Sequence, residues 1–362
     1  MHFLTGYPGF LGGQLLPRFL AGDPTSDVVC LVQPKYLELA LAAVAQFRLG
    51  SPELARRIQL VPGDITLPDL GLGEARIAEL AERVTTVWHL AAIYDLSVAR
   101  SPAMSVNVEG TRHTLGFASR CERFRRFHYV STCYVSGRYA GIFSEDDLEK
   151  GQSFHNSYEE TKYLAEVEVR RAMTGGLPAT IYRPAIVVGD SRTGATQKYD
   201  GPYFVIRWVL RQPGTAMVPV VGDPSTTRVN LVPSDFVIDA IAHLAALPHS
   251  IGRTYQLVDP NPLTVAELLD AVADATGKRL KRVRVPSRAV RWAIDKVPGV
   301  YRLVGIPAAA IDYFSLPTHY TAFHATTDLE GSGIQVPPFV SYAPRLVEYM
   351  REHPEVGSAA MM

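Results

Sequence analysis

Thr5-Gly6-Tyr7-Pro8-Gly9-Phe10-Leu11-Gly12 decides the fold. It follows a short apolar run, Met1 to Leu4, and opens into an amphipathic segment. Glycines at 6, 9 and 12 give the spacing G-x-x-G-x-x-G between a predicted strand and a predicted helix. A strand that turns at once into a helix needs a residue tolerant of positive φ. A pyrophosphate approaching the backbone needs positions without side chains. The helix N-terminus then offers free N–H groups and the positive end of its dipole. An ordinary glycine turn is the alternative, to be weighed against the chemistry further along the chain.

Strands are predicted at Val28 to Val32, Ile58 to Val61, Val84 to Leu90, Arg126 to Val130 and Ala179 to Tyr182. Helices are predicted around Lys35 to Arg48, over 105–120 and over Tyr158 to Arg171. Repeated strand–helix units with apolar strands imply an α/β fold, a doubly wound parallel sheet of the Rossmann type. After Gly189 the rhythm breaks, and residues 190–230 are rich in Gly, Pro and Tyr without clear periodicity. A strand-like Thr227 to Val232 and a helix at Ser234 to Leu247 are expected to return to the sheet. Leu263 to Thr276 is a predicted helix whose Thr264 and Glu267 form a capping box. The expected division is a dinucleotide-binding domain over 1–190 plus about 218–258, a smaller, mainly helical substrate lobe over 191–217 plus 259–351, and a flexible tail over 352–362.

The 362 residues carry 36 basic and 36 acidic side chains, so no global field recruits nucleic acid or a membrane. No basic segment leads into an apolar run as in a signal peptide, and no uncharged apolar stretch is long enough to span a bilayer. Cys30, Cys121 and Cys133 are odd in number and lack metal-type spacing, which suits a reducing cytoplasm and a protein without a metal.

Tyr158 and Lys162 stand four residues apart on a predicted helix and so share one face. A nearby ammonium is expected to lower the phenol pKa, so that tyrosine exchanges a proton with a carbonyl or alcohol oxygen near neutral pH. Tyr-x-x-x-Lys alone decides little, because chance produces it often. Its place decides more: it follows a predicted strand ending in Val130-Ser131-Thr132, which puts a hydroxyl at the carboxyl edge where open α/β sheets bind ligands. Thr132, Tyr158 and Lys162 are the expected catalytic triad.

With these residues in place, the chain resembles an extended short-chain dehydrogenase/reductase. The markers are the glycine turn, Gly63-Asp64, His89-Leu90-Ala91-Ala92, Asn107-Val108-Glu109-Gly110-Thr111, Ser131-Thr132, Tyr158-x-x-x-Lys162 and Arg183-Pro184. Within that superfamily it is similar to fatty acyl reductases and to the terminal reductase domains of carboxylic acid reductases and peptide synthetases. The marks are Gly9-Phe10-Leu11-Gly12, the run Gly63 to Leu72, and Asp200-Gly201-Pro202-Tyr203.

The resemblance implies roles. Gly6, Gly9 and Gly12, with Pro8, Phe10 and Leu11, would hold the pyrophosphate. Asp64 and Ile65 would contact the adenine, and Ala91 and Ala92 would line the ribose–nicotinamide path. Thr132 would hydrogen-bond the substrate oxygen, Tyr158 would donate the proton and Lys162 would bind the nicotinamide ribose. Pro184 and Ile186 would pack near the nicotinamide. Asn107 and Ser131 are counted with the cofactor site, Tyr94 and Tyr203 with the substrate. His89, Ala91 and Ala92 could instead merely end a buried strand, and Asn107 could cap a helix.

At the end of the second strand an NAD site usually places a carboxylate. Here Leu31-Val32-Gln33-Pro34-Lys35 has none, and Lys35 could reach a 2′-phosphate, so NADPH is expected over NADH. Between Lys278 and Arg302 nine basic residues accompany one acid, Asp295. This segment is either a solvated face or a docking patch for an acidic carrier protein, a CoA phosphate or an anionic membrane surface. Apolar residues from Val300 to Phe314 are core or the lining of an acyl channel. The expected activity is NADPH-dependent reduction of a small hydrophobic carbonyl compound, an acyl thioester (CoA- or carrier-bound) or the matching aldehyde or ketone. The alternatives are a nucleotide-sugar epimerase or dehydratase, a sterol-type hydroxyl dehydrogenase, and a non-catalytic nucleotide-sensing module.

Overall fold

The computed structural model describes residues 1–220, 222–286 and 317–357. Seven parallel strands form the central sheet in the order Thr254–Leu257, Ala179–Pro184, Arg126–Val130, Thr86–His89, His2–Thr5, Val28–Val32 and Ile58–Pro62. Successive side chains leave a strand on opposite faces. Phe3, Val29, Phe127 and Ile181 therefore join one core, while Leu4, Cys30, Val130 and Tyr182 join the other. Both faces are covered, which is why the strands read as nearly unbroken apolar runs. Helices Glu74–Arg83, Gly110–Arg120 and Ser157–Thr174 seal the first face through Leu80, Phe117 and Val169. Helices Phe10–Gly22, Leu37–Gly50 and Ser234–Ala246 seal the second through Leu16, Val44 and Ile241.

The chain runs outward from His2–Thr5 through the next two strands, then crosses back to Thr86–His89 on the other side of the first strand. Between those two strands lies the reversal of strand order, where such sheets open a crevice at their carboxyl ends. The glycine turn follows directly on one side of it, and Leu90-Ala91-Ala92 on the other.

The seventh strand is Thr254–Leu257, not the expected Thr227 to Val232. The latter is two short pieces outside the central sheet. Arg228–Val229 pairs antiparallel with Leu263–Thr264, and Leu231–Pro233 pairs parallel with Ile186–Val188. Asn230 breaks the run, because its side-chain amide is pinned to the backbone of Asp259 at 2.8 Å in both directions. The capping box of Thr264 and Glu267 is present at the start of Val265–Thr276. Residues 190–230 hold more order than their sequence suggests: a helix, Pro202–Arg211, and a strand, Thr215–Val220, paired with Arg279–Arg284. In that strand Ala216, Val218 and Val220 are buried, while Met217 and Pro219 are exposed, so an apolar run conceals a period of two.

A separate core gathers Tyr203, Ile206, Val218, Leu268, Tyr342 and Leu346 beyond the carboxyl edge of the sheet. Helix Phe339–Glu352 belongs to it. Residues 353–357 fold back on this lobe: the Tyr199 hydroxyl donates to His353 O at 3.0 Å, and the Tyr199 N–H to Gly357 O at 2.8 Å. Of the basic segment only residues 278–286 are among the described residues, and Val300 to Phe314 lies outside them. Among the described residues no helix is long and apolar enough to cross a membrane.

Candidate active site

Gly6 adopts φ +91°, and a Cβ there would lie 2.7 Å from Ala91 N. The first loop thus crosses the end of the fourth strand backbone to backbone, which only glycine permits. A Cβ at Gly12 would sit 2.5 Å from Gly6 O, and one at Gly9 2.8 Å from the same oxygen. The turn is closed by Gly9 N–H donating to Gly6 O at 2.9 Å. Helix Phe10–Gly22 begins with no side-chain cap and no acidic residue in its first turn. Its leading N–H groups and dipole are therefore left for an anion, and no side chain at positions 6, 9 or 12 covers them, an arrangement suited to a pyrophosphate.

Beyond the strand Val28–Val32, the Gln33 Nε2 donates to Asp64 Oδ2 at 2.9 Å. Asp64 Oδ1 accepts from the Thr66 N–H and hydroxyl, both at 2.8 Å. Lys35 is exposed, its Nζ 5.1 Å from the centre of the Tyr36 ring. Ile65 is buried, and the carbon a Cβ would add at Gly110 meets its Cδ1 at 2.6 Å, so the loop after Gly63 is pressed against the helix Gly110–Arg120.

Helix Ser157–Thr174 starts at Asn156, whose side chain accepts from Glu159 N–H at 3.0 Å, and Glu159 and Glu160 sit in its first turn. Both features favour a helix start at this point. The helix brings Tyr158 to Thr132, whose hydroxyl partners the phenol. Thr132 is buried at the end of Arg126–Val130; its Oγ1 donates to Pro184 O at 3.4 Å and accepts from Tyr134 N–H at 3.3 Å. Lys162 Nζ donates to Tyr129 hydroxyl at 2.9 Å and to Val130 O at 2.8 Å. The expected depression of the Tyr158 pKa by this lysine is overturned. Burial pushes the phenol up, more than Thr132 pulls it down, and two of the three Lys162 N–H groups go to the neighbouring strand. Burial also brings the Lys162 ammonium down to about 7, against the opposing pull of Glu166.

Ser131 Oγ donates to Glu166 Oε2 at 2.6 Å, and Glu166 is paired with Arg183 at 2.6 Å, both carboxylate and guanidinium wholly buried. Ser131 thus faces the ion pair beneath the site. Asn107 sits in a π-helical stretch, Met104–Glu109, and caps no helix. It accepts from Ile93 N–H at 2.8 Å and donates to Ile93 O at 3.1 Å and Thr161 Oγ1 at 2.9 Å, tying the loop after Ala92 to the helix that carries Tyr158. His89 is buried and its pKa falls to about 3, first through burial and then through Lys162, so it is neutral. Ala91 and Ala92 are half-buried at the crevice, and the Ala91 N–H donates to Thr5 Oγ1 at 3.3 Å.

Tyr94 stands at the surface, 37 % exposed, with Lys198 Nζ 4.5 Å over its ring. Tyr203, expected at the substrate, is 1 % exposed and its hydroxyl accepts from Gly189 N–H at 2.8 Å. It is placed as a packing group of the lobe, because its helix turns the ring inward beside Tyr199. Ile186 is half-buried where its strand meets Leu231. A cavity of about 340 Å³ is lined among others by Tyr134, Arg228, Asn230, His319 and Tyr320. Tyr134, two residues after Thr132, was within reach of sequence reasoning. Tyr320, whose hydroxyl bonds Ser136 Oγ at 2.8 Å, is brought there from a remote part of the chain.

The family model described as male sterility protein matches residues 4–241. Aldehyde reductase lnbA of Aspergillus flavus is 30 % identical over 295 residues, covering 77 % of this chain and 28 % of that protein. Non-canonical nonribosomal peptide synthetase FrzA of Cladobotryum sp is 27 % identical over 353 residues, 86 % of this chain and 34 % of that protein. The chain therefore spans only about a third of the length of either relative. Among solved structures, the terminal R domain from the myxalamid PKS-NRPS biosynthetic pathway superposes with a TM-score of 0.83 at 29 % identity, over 98 % of this chain and 91 % of that one. UDP-glucuronic acid 4-epimerase from Bacillus cereus in complex with NAD shares the fold, with a TM-score of 0.68 at 19 % identity and 99 % coverage of both chains.

Proposed function

Since the chain belongs to the male sterility protein family and is an NAD(P)-dependent oxidoreductase of the extended short-chain dehydrogenase/reductase type, we propose that it reduces an acyl thioester to the aldehyde, with NADPH as reductant. The observation that carries this reading is the meeting of Tyr158, Thr132 and the Lys162-bearing helix at the carboxyl edge of the sheet. The aldehyde reductase and PKS-NRPS R domain among its relatives support a carbonyl substrate delivered as a thioester, on CoA or a carrier protein.

The nicotinamide, when bound, supplies the hydride. Gly6, Gly9 and Gly12 would admit its pyrophosphate, Gln33 and Lys35 its adenosine phosphate, Asp64 and Ile65 the adenine, and Lys162 a ribose hydroxyl through its remaining N–H. Thr132 and Tyr158 orient the carbonyl oxygen and stabilise the charge that develops on it. Because burial raises its pKa, Tyr158 holds its proton at neutral pH and is a competent acid toward that oxygen. With a thioester, the protonated adduct is a hemithioacetal, which expels thiol and leaves the aldehyde. In this reading residues 1–190 with 218–258 bind the cofactor and 191–217 with 259–351 shape the substrate side. The separate core around Tyr203, Leu268 and Tyr342 supports a distinct lobe, although Val218 and Leu231 join that core and Ala325 and Leu329 join a core of the sheet, so the packing crosses these bounds. The exposed Arg279, Lys281, Arg282 and Arg284 of the strand beside Thr215–Val220 would meet the carrier or the CoA phosphates. The reading places the enzyme in the cytoplasm.

The test is product identification after incubation with NADPH and a medium-chain acyl-CoA, beside a panel of aldehydes and ketones. Aldehyde release from the thioester supports the proposal. Tightly bound NAD⁺ in the purified protein with no net cofactor consumption would replace it with an epimerase reading.

A further inference from the structure

Lys162 has a partner that no motif announces. Tyr129 is 1 % exposed, its hydroxyl accepts from Lys162 Nζ at 2.9 Å, and the same Nζ lies 4.4 Å from the centre of its ring. The tyrosine is itself fixed. Its ring stacks on His89 with centroids 5.7 Å apart, and the Thr111 hydroxyl reaches its phenol.

The protons in this cluster follow from the partners. Thr111 Oγ1 donates to Asn107 O at 2.6 Å, so its only hydrogen is spent. His89 Nε2, 3.0 Å from that oxygen, must then be the donor. Neutral His89 therefore carries no proton on Nδ1, which accepts from Thr5 Oγ1 at 2.8 Å. With the Thr111 hydrogen spent on Asn107 O, the Tyr129 hydroxyl has to be the donor toward Thr111, which leaves the phenol oxygen to receive Lys162. Every buried group has one place in the chain from Thr5, beside the glycine turn, to the lysine.

We propose that Tyr129 is a positioning residue for Lys162, its hydroxyl and ring fixing the Nζ so that one N–H remains directed to a bound cofactor. The proposal rests on the cofactor role given to Lys162 above. The groups facing this amine are Glu166 and Tyr158 from its own helix, Tyr129 from Arg126–Val130 and neutral His89 from Thr86–His89. Glu166 is held by Arg183 and Arg170. Of these groups the lysine alone is expected to titrate near neutrality.

The test compares Tyr129→Phe, which keeps the ring and removes only the hydroxyl, with the parent enzyme. The dissociation constant for NADPH is measured by fluorescence titration from pH 5.5 to 9.5, and kcat over the same range. Loss of a hydrogen bond that favours the ammonium should move the basic limb of both profiles down by about one pH unit and lower kcat about fivefold at pH 7, approaching about tenfold at higher pH. Thr111→Val, which removes the acceptor of the Tyr129 proton, should give a smaller shift in the same direction and covers the case that the first variant does not fold. Lys162→Ala should abolish the limb. Profiles that superimpose on the parent after scaling, or a limb that survives in Lys162→Ala, overturn the proposal. If the parent reduces no carbonyl compound at all, the functional reading fails, while the cofactor titration still decides the part played by Tyr129.

Discussion

The side-chain amide of Gln33 donates to the carboxylate of Asp64 at 2.9 Å, across the ends of two neighbouring strands. Asp64 is further engaged by both donors of Thr66. A carboxylate holding three donors is poorly placed to select a ribose hydroxyl, while Lys35 stands exposed two residues beyond Gln33. Lys35→Ala should raise KM for NADPH about tenfold, the worth of one charge-assisted hydrogen bond, and leave KM for NADH unchanged. Equal effects on both cofactors, or a lower parent KM for NADH, would remove the phosphate contact from the account.

Tyr158 and Thr132 meet in a buried setting that keeps the phenol protonated. Tyr158→Phe should therefore lower kcat between about 10²- and 10⁴-fold while the dissociation constant for the cofactor stays within about twofold. Stopped-flow binding beside steady-state turnover separates the two. Turnover unchanged in this variant would take the phenol out of the mechanism.

Arg183 and Glu166 form a wholly buried pair directly beneath Ser131, joined by Arg170. Burial works against the ionised carboxyl, yet the two guanidiniums and the Ser131 hydroxyl outweigh it, so Glu166 lies below the usual carboxylate range. Arg183→Met should destabilise the protein by about 3–5 kcal/mol, because the carboxylate is left buried without its main partner. Adding Glu166→Gln should recover part of that loss. Denaturant titration at pH 7 reads both; a double variant no more stable than the single one would show that Arg183 acts through packing alone.

Much of this architecture was legible. Val28–Val32 matches its predicted bounds because a strand buried on both faces leaves an uninterrupted apolar run. Arg126–Val130 matches as well, although Arg126 and His128 break the run and are satisfied by Leu247 O and by stacking on Trp88. Thr254–Leu257 was missed because it is four residues long and carries Gln256, whose Nε2 is satisfied by Phe143 O at 2.9 Å, a partner invisible in a local pattern. The meeting of Tyr158 with Thr132 followed from a strand end and a helical spacing. The attachment of Lys162 to Tyr129 did not, since it depends on how the helix Ser157–Thr174 lies across a strand 33 positions earlier. Tyr203 misled for the opposite reason: its neighbours match a family pattern, but the helix turns it into the core of the lobe.

Lys162 has a consequence for stability as well as chemistry. Burial lowers its pKa in the folded protein to about 7, whereas an unfolded lysine titrates near roughly 10.4. Below pH 7 both states carry the proton, and the folded state bears the full cost of a buried ammonium. Between pH 7 and 10.4 the unfolded chain binds more protons than the folded one, so this group's contribution to stability rises with pH. Lys162→Met, which keeps the apolar stem and removes the charge, should therefore raise the unfolding temperature of the cofactor-free protein at pH 6 by more than it does at pH 9.5. Thermal melts of parent and variant at the two values measure the difference. A gain that is equal at both, or larger at the higher pH, would mean that Tyr129 and Val130 already offset the cost of placing the charge there.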